Sequence, residues 1–185
     1  MLKIVGGSHR GRRLKWLDIP EIRPTPARVR EAVFNILADR VPDSNWWDLC
    51  CGSGVVGLEA LSHGAASVVF VEQNPRSLRL LRENIHTLEL QAQTRLQQQD
   101  LRRFLHQQKQ LSAAFVYCDP PYESPLYQPV VERLAALPLA EGLEQVTLIL
   151  EYRRRQASWT LQSPWQLVDT REYGDTCLAF LERQA

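Results

Sequence analysis

The chain has 185 residues, 44% of them hydrophobic, which is enough for one domain with a sizeable core and too few for two ordinary ones. Its 22 lysines and arginines nearly balance 21 acids, no apolar run approaches bilayer-spanning length, and no signal-peptide pattern opens the chain, so a cytoplasmic protein is expected. Cys50, Cys51, Cys118 and Cys177 include no C-x-x-C pair, so neither a disulfide framework nor a metal site is expected.

The near-zero net charge hides an asymmetry. Residues 1–30 carry Lys3, Arg10, Arg12, Arg13, Lys15, Arg23, Arg28 and Arg30 against Asp18 and Glu21, and the remainder is slightly acidic. A basic arm on a near-neutral body is the electrostatic pattern of a polyanion held at one edge. Ile4-Val5-Gly6-Gly7 and Arg10-Gly11-Arg12-Arg13-Leu14 predict two short strands joined through glycines. Residues 1–24 are therefore expected to form an arm, and 25–185 the main domain. The glycines would let the backbone approach a phosphate closely, while Arg10, Arg12 and Arg13 would supply paired donors.

Thr25 suits an N-cap and Pro26 a first helical position, and Val29, Val33, Ile36 and Leu37 then repeat at helical spacing, predicting a helix from about Pro26 to Asp39. Arg28 and Arg30 lie off the stripe of Val29 and Val33. They are either solvated or, with Arg23 and Thr25, gathered at a helix start that favours an anion, whether a phosphate or a cofactor carboxylate.

From Trp46 onward strands and helices alternate. Trp46–Cys50 predicts a strand, and Gly52-Ser53-Gly54 a turn into a helix that ends near Gly64. Val68–Val71 predicts a second strand closed by Glu72. Asn74 and Pro75 open a helix striped by Leu78, Leu81, Ile85 and Leu88, with Arg76, Arg79 and Arg82 outside the stripe. A weaker strand near Arg95–Gln98 leads to Asp100, a candidate cap for the helix that carries Leu101, Phe104 and Leu105. Ala113–Cys118 is an apolar run that stops at Asp119. Leu126, Val130, Val131 and Leu134 mark another helix, Val146–Leu150 a fifth strand, and Trp165–Thr170 with Cys177–Leu181 a closing hairpin around Tyr173-Gly174-Asp175. This alternation predicts an α/β fold with an open, mostly parallel sheet and an antiparallel C-terminal hairpin.

In such a sheet, ligands lie beyond the carboxyl ends of the strands. Asp48, Glu72, Asp100 and Asp119 all fall there. Gly52-x-Gly54-x-x-Gly57 with Glu72 downstream also fits a nucleoside-cofactor fingerprint, in which backbone passes close to the cofactor and the acid meets a ribose. A nicotinamide oxidoreductase would share these features. It has no clear use for Cys118-Asp119-Pro120-Pro121-Tyr122, where a carboxylate, a carbonyl on a rigid backbone and a stacking ring stand side by side. That set fits a planar amine with two N–H donors, such as the exocyclic amine of a nucleobase, and a base held there must be unstacked or flipped out.

Asp48-Leu49-Cys50-Cys51-Gly52-Ser53-Gly54 resembles the first motif of class I methyltransferases, and Asp119-Pro120-Pro121-Tyr122 resembles the catalytic motif of those acting on amino groups of planar substrates. With the Gly6-Gly7…Arg10-Gly11-Arg12 arm, Arg23-Pro24-Thr25…Arg28-Val29-Arg30-Glu31-Ala32…Phe34-Asn35, Gly57-Leu58-Glu59-Ala60-Leu61 and Arg171-x-Tyr173-Gly174-x-Thr176, nearly the whole chain resembles the RsmD family. That resemblance implies a seven-stranded methyltransferase fold, S-adenosyl-L-methionine as cofactor, and N2 of one guanine in 16S rRNA as target, within a small ribosomal subunit or an assembly intermediate. It implies that Asp48, Gly52, Ser53 and Gly54 border the cofactor, that Glu72 holds its ribose with Gln73 beside it, and that Asp100 and Leu101 face the adenine. Asp119, Pro120, Pro121 and Tyr122 would hold the guanine, and Arg10, Arg12, Arg13, Arg23, Thr25, Arg28 and Arg30 would meet RNA. Cys50-Cys51 departs from the Phe-Ala common in the family. An amino-methyltransferase acting on adenine or cytosine would share the pocket chemistry, and a non-catalytic assembly factor would share the fold. Nothing in the chain requires more than a monomer.

Overall fold

The computed structural model describes residues 1–17, 23–121, 124–154 and 159–185. The alternating apolar runs become β1 (Asn45–Leu49), β2 (Ser67–Glu72), β3 (Thr94–Gln98), β4 (Phe115–Cys118), β5 (Gln145–Arg153), β6 (Gln166–Tyr173) and β7 (Thr176–Gln184). They form a single seven-stranded sheet in the order β3-β2-β1-β4-β5-β7-β6. The first five strands run parallel, and β7 is inserted antiparallel between β5 and β6. All four residues of β4 are buried, as expected for a central parallel strand covered on both faces.

Helices α1 (Ala27–Leu37), α2 (Val55–Ser62) and α3 (Pro75–Thr87) pack on one face of the sheet, and α4 (Leu101–Gln107) and α5 (Tyr127–Ala136) on the other. The α3 helix starts where the sequence says it should: Asn74 Oδ1 accepts the Arg76 N–H at 2.9 Å and the Ser77 N–H at 3.3 Å, and Pro75 has no N–H to satisfy. Asp100 Oδ1 caps α4 in the same way, through Arg102 N–H at 2.9 Å and Arg103 N–H at 3.2 Å. Gly57 explains how tightly α2 lies on the sheet. A Cβ there would stand 2.3 Å from the Phe70 ring of β2.

Two features near α1 differ from the expectation. The helix is capped by Pro26 with no side-chain bond, and Thr25 turns inward, its Oγ1 donating to Glu151 Oε2 at 3.1 Å. The helix also ends at Leu37 and tightens into a 3-10 turn over Ala38–Arg40.

The arm is a hairpin-like loop with one antiparallel bridge, Lys3 to Arg13, rather than two strands. Leu2, Ile4 and Leu14 join the core on the α1–α3 face, each fully buried aliphatic side chain contributing about 1.5–3 kcal/mol. The arm's tip docks on the C-terminal ends of α2 and α3. Ser8 N–H donates to Ser62 O at 2.7 Å, Ser62 Oγ donates to Gly6 O at 2.6 Å, and Arg12 Nη2 donates to Thr87 O at 3.1 Å. Among the described residues, no helix is long and apolar enough to cross a membrane.

The chain builds outward from β1 through β2 to β3, then returns to place β4 on the other side of β1. The crevice opened by that reversal, beyond the carboxyl ends of β1 and β4, is where ligands bind in open α/β sheets.

Candidate active site

The four acids of the strand ends converge on one cleft of about 860 Å³. Its lining includes Asp48, Gly52, Ser53, Glu72, Gln73, Asp100, Leu101, Asp119, Pro120 and Pro121. Residues remote in sequence meet there because β2, β1 and β4 are adjacent and in register, with Asp48 between Phe70 and Tyr117.

The glycine turn is fixed by two carboxylates. Asp48, 2% exposed, has its Oδ2 accepting the Gly57 N–H at 2.9 Å, so it clamps the start of α2 against β1. Burial, with the Glu72 charge adding to it, raises the Asp48 carboxyl to about 7, although the Gly57 bond pulls the other way. Glu72 Oε2 accepts the Gly52 N–H at 2.9 Å and its Oε1 the Asn74 N–H at 2.7 Å. Both oxygens keep further lone pairs for hydroxyl donors. Cys50 holds a φ of 56°, a left-handed conformation uncommon for a residue with a Cβ, and Gly52 and Gly54 follow at 51° and 70°. Cys51 N–H to Val71 O at 3.0 Å and Gly54 N–H to Cys51 O at 2.7 Å hold this coil.

At the other end of the cleft, Asp119 follows β4, its N–H 3.4 Å from Leu49 O. The side chain is half-buried at the rim, and burial, with Glu151 and Asp48 as negative neighbours, holds its carboxyl well above the usual carboxylate range. Pro120 is buried and Pro121 exposed. The Tyr127 hydroxyl donates to Glu151 O at 3.0 Å and lies 3.4 Å from Pro120 O. Tyr122 lies outside the described residues.

The cationic residues divide. Arg23 is exposed and lines the cleft, and Arg28 is exposed with Nη2 donating to Tyr173 O at 2.9 Å. Arg10, Arg12 and Arg13 are exposed at the arm, on the opposite end of the sheet from the cleft. Arg30 and Thr25 are corrections. Arg30 is 2% exposed because it shares a helical face with Val33, Phe34 and Leu37, and its Nε meets Glu59 Oε1 at 3.1 Å while its Nη2 donates to Lys3 O at 2.8 Å. Thr25, 5% exposed, is committed to Glu151. Neither offers a free donor to a polyanion. Gly6 and Gly7 also serve docking rather than close approach to a phosphate: a Cβ on Gly7 would stand 1.9 Å from Ser62 O, and one on Gly6 2.3 Å from the His63 ring.

Sequence reasoning missed Glu151 and Tyr117. Glu151, 1% exposed, accepts from Thr25 Oγ1 and from the Tyr117 hydroxyl on the same Oε2. A lone acid closing the apolar run Val146–Leu150 was the available signal, since acids close the other parallel strands too.

A doubly wound sheet with its last strand, β7, reversed, a glycine coil after the first strand and acids at the following strand ends define a class I S-adenosylmethionine-dependent methyltransferase. The cleft's lining fits that cofactor: a carboxylate with spare lone pairs at the end of β2, a buried leucine at the start of α4, and the backbone of Gly52 and Ser53 along the wall. The chain belongs to the family described as conserved hypothetical protein 95, whose model matches residues 2–182, the family its motifs resemble. It is 37% identical over 133 residues to the ribosomal RNA small subunit methyltransferase D of Escherichia coli strain K12, a match spanning 72% of this chain and 66% of that protein. It is 31% identical over 154 residues to YlbH of Bacillus subtilis, covering 82% and 76% of the two chains. Among solved structures, the Escherichia coli protein yhhF superposes with a TM-score of 0.87 at 29% identity, over 100% of this chain and 98% of that one.

Proposed function

We propose that this protein transfers a methyl group from S-adenosylmethionine to the exocyclic N2 of a guanine in 16S rRNA, within the small ribosomal subunit or an assembly intermediate. The observation that carries the reading is the placement of the Asp119 carboxylate and the Pro120 carbonyl on the rim of the same cleft as the glycine coil and Glu72.

When bound, the cofactor supplies an electrophilic methyl on a sulfonium, whose transfer leaves a neutral thioether. Glu72 would receive the ribose hydroxyls on the lone pairs its backbone bonds leave over, with Gln73 beside it. Asp48 acts indirectly, by fixing the coil of Gly52, Ser53 and Gly54 through Gly57. Asp100 caps α4 and so presents the buried Leu101 to the adenine. An aromatic amine is a poor nucleophile because its lone pair is delocalised. Asp119 and Pro120 O would accept its two N–H bonds, favour tetrahedral nitrogen and aim the lone pair at the methyl, so that positioning supplies most of the rate. A methylated amine nitrogen would have to shed one proton. Asp119, whose environment already favours protonation, is suited to hold it.

The RNA path follows from the cations that remain exposed. Arg23 lines the cleft, Arg28 is exposed in the first turn of α1, and Arg10, Arg12 and Arg13 stand at the far end of α3. A 13-residue helix spans roughly 20 Å. Along it Arg76, Arg79 and Arg82 are exposed and make no ion pair among the described residues, so one backbone could be followed from the arm to the cleft.

The test is methylation with labelled cofactor of unmodified small subunits, naked 16S rRNA and duplex DNA, followed by mapping of the modified nucleotide. Asp119→Ala should abolish turnover and leave cofactor affinity within about twofold. Full activity in that variant, or transfer to DNA alone, would sink the proposal.

A further inference from the structure

Glu151 lies on β5 next to Asp119. Cys118 pairs with Leu150 across β4 and β5, so the next residues of the two strands are Asp119 and Glu151, and alternation turns both toward the α1–α3 face that Tyr117 also occupies. Three bonds converge on this residue. Thr25 Oγ1, at the entry to α1, and the Tyr117 hydroxyl, on β4, both donate to its Oε2, while its main-chain carbonyl accepts the Tyr127 hydroxyl that lies 3.4 Å from Pro120 O. Burial raises the Glu151 carboxyl, while the Tyr117 and Thr25 hydroxyls and the Arg30 charge pull the other way; Arg30 itself is bonded to Glu59, Lys3 O and Thr25 O. Burying a carboxylate without a cation in direct contact is costly, and a purely structural position would be filled as well by an apolar residue.

We propose that Glu151 is a positioning residue for methyl transfer: its carboxylate holds Tyr117, on the strand that leads into Asp119, against Thr25 at the entry to α1, and places a negative charge behind Asp119. The inference rests on the amine-binding reading of Asp119 given above. Asp119 faces Glu151 from β5 and Asp48 from β1, with Cys50 beside it and Arg23 and Arg153 on the cleft wall. Glu151 is the larger of its two acidic neighbours in effect, and its removal lowers the proton affinity of Asp119.

Glu151→Gln keeps the size of the side chain and one acceptor oxygen while deleting the charge. In steady-state methylation of unmodified small subunits, kcat should fall at least tenfold, KM for RNA and for cofactor should stay within about twofold, and the acid limb of the kcat profile should move to lower pH. Glu151→Asp, which restores the charge, should return that limb toward its original position. Wild-type kcat with an unmoved acid limb in a folded Glu151→Gln, or a change confined to KM, would overturn the proposal. If Glu151→Gln does not fold, as judged by Tm, Tyr117→Phe decides: a fall in kcat of threefold or more at constant KM supports it, and unchanged kcat overturns it. Asp119→Ala run alongside separates the two levels. Activity in that variant overturns the reading of the site itself, whereas an inactive Asp119→Ala with a normal Glu151→Gln overturns only the role of Glu151.

Discussion

Arg30 Nε lies 3.1 Å from Glu59 Oε1, and the two side chains are 2% and 0% exposed. This one pair ties three segments together. Glu59 also accepts the N–H groups of Val5 at 2.7 Å and Gly6 at 3.2 Å, and Arg30 reaches Lys3 O and Thr25 O. The arm, the entry to α1 and the middle of α2 therefore share a single ionic node.

Breaking that node from either side leaves a buried charge unpaired. Arg30→Met or Glu59→Gln should each lower unfolding free energy by about 3–5 kcal/mol in urea titrations. Replacing both residues together by apolar ones should cost less than the sum, because no charge is then stranded.

Gly7→Ala tests the docking of the arm. The residue sits at φ 70° and its new Cβ would strike Ser62 backbone, so the tip must lift from α2. Amide hydrogen exchange should accelerate across residues 2–14 while cofactor affinity, measured by calorimetry, stays unchanged.

The RNA path makes a salt-dependent prediction. Replacing Arg10, Arg12 and Arg13 together by alanine, or Arg79 and Arg82 together, should weaken RNA binding and flatten the log K versus log salt slope by about 0.7–0.9 per lost phosphate contact. Cofactor affinity should not move. An unchanged slope in both variants would remove the path along α3, leaving the cations at the cleft.

Asp48 gives stability an unusual pH dependence. Its folded value of about 7 is above its unfolded value near 3.8, so between those limits the native state binds more protons than the unfolded state. This residue's contribution is therefore most favourable in acid, declines by up to about 1.4 kcal/mol per pH unit as pH rises through that window, and levels off above about 7. Asp48→Asn should reduce the decline, seen as a smaller stability difference between pH 5 and pH 7 in denaturant titrations. A pH dependence identical to wild type would show that Asp48 is not buried as described.

Local sequence decided the elements. Asn74-Pro75 and Asp100 start helices by chemistry confined to a few residues, and the apolar runs ending in Glu72 and Asp119 are short enough to read as buried strands with their acids at the rim. The glycine coil and Asp119-Pro120-Pro121 were legible for the same reason, since each is a contiguous motif. What local pattern could not supply was partner identity. Thr25 finds Glu151 at a separation of 126 residues, and Arg30 finds Glu59 at 29, so a capping residue and a surface arginine by spacing became buried members of two polar clusters. The arm's side of the sheet was equally hidden, because it depends on how Ser62 and Thr87 end their helices beside one another. Periodicity fixes which face of an element is buried; only the assembled sheet fixes which charges that burial forces together.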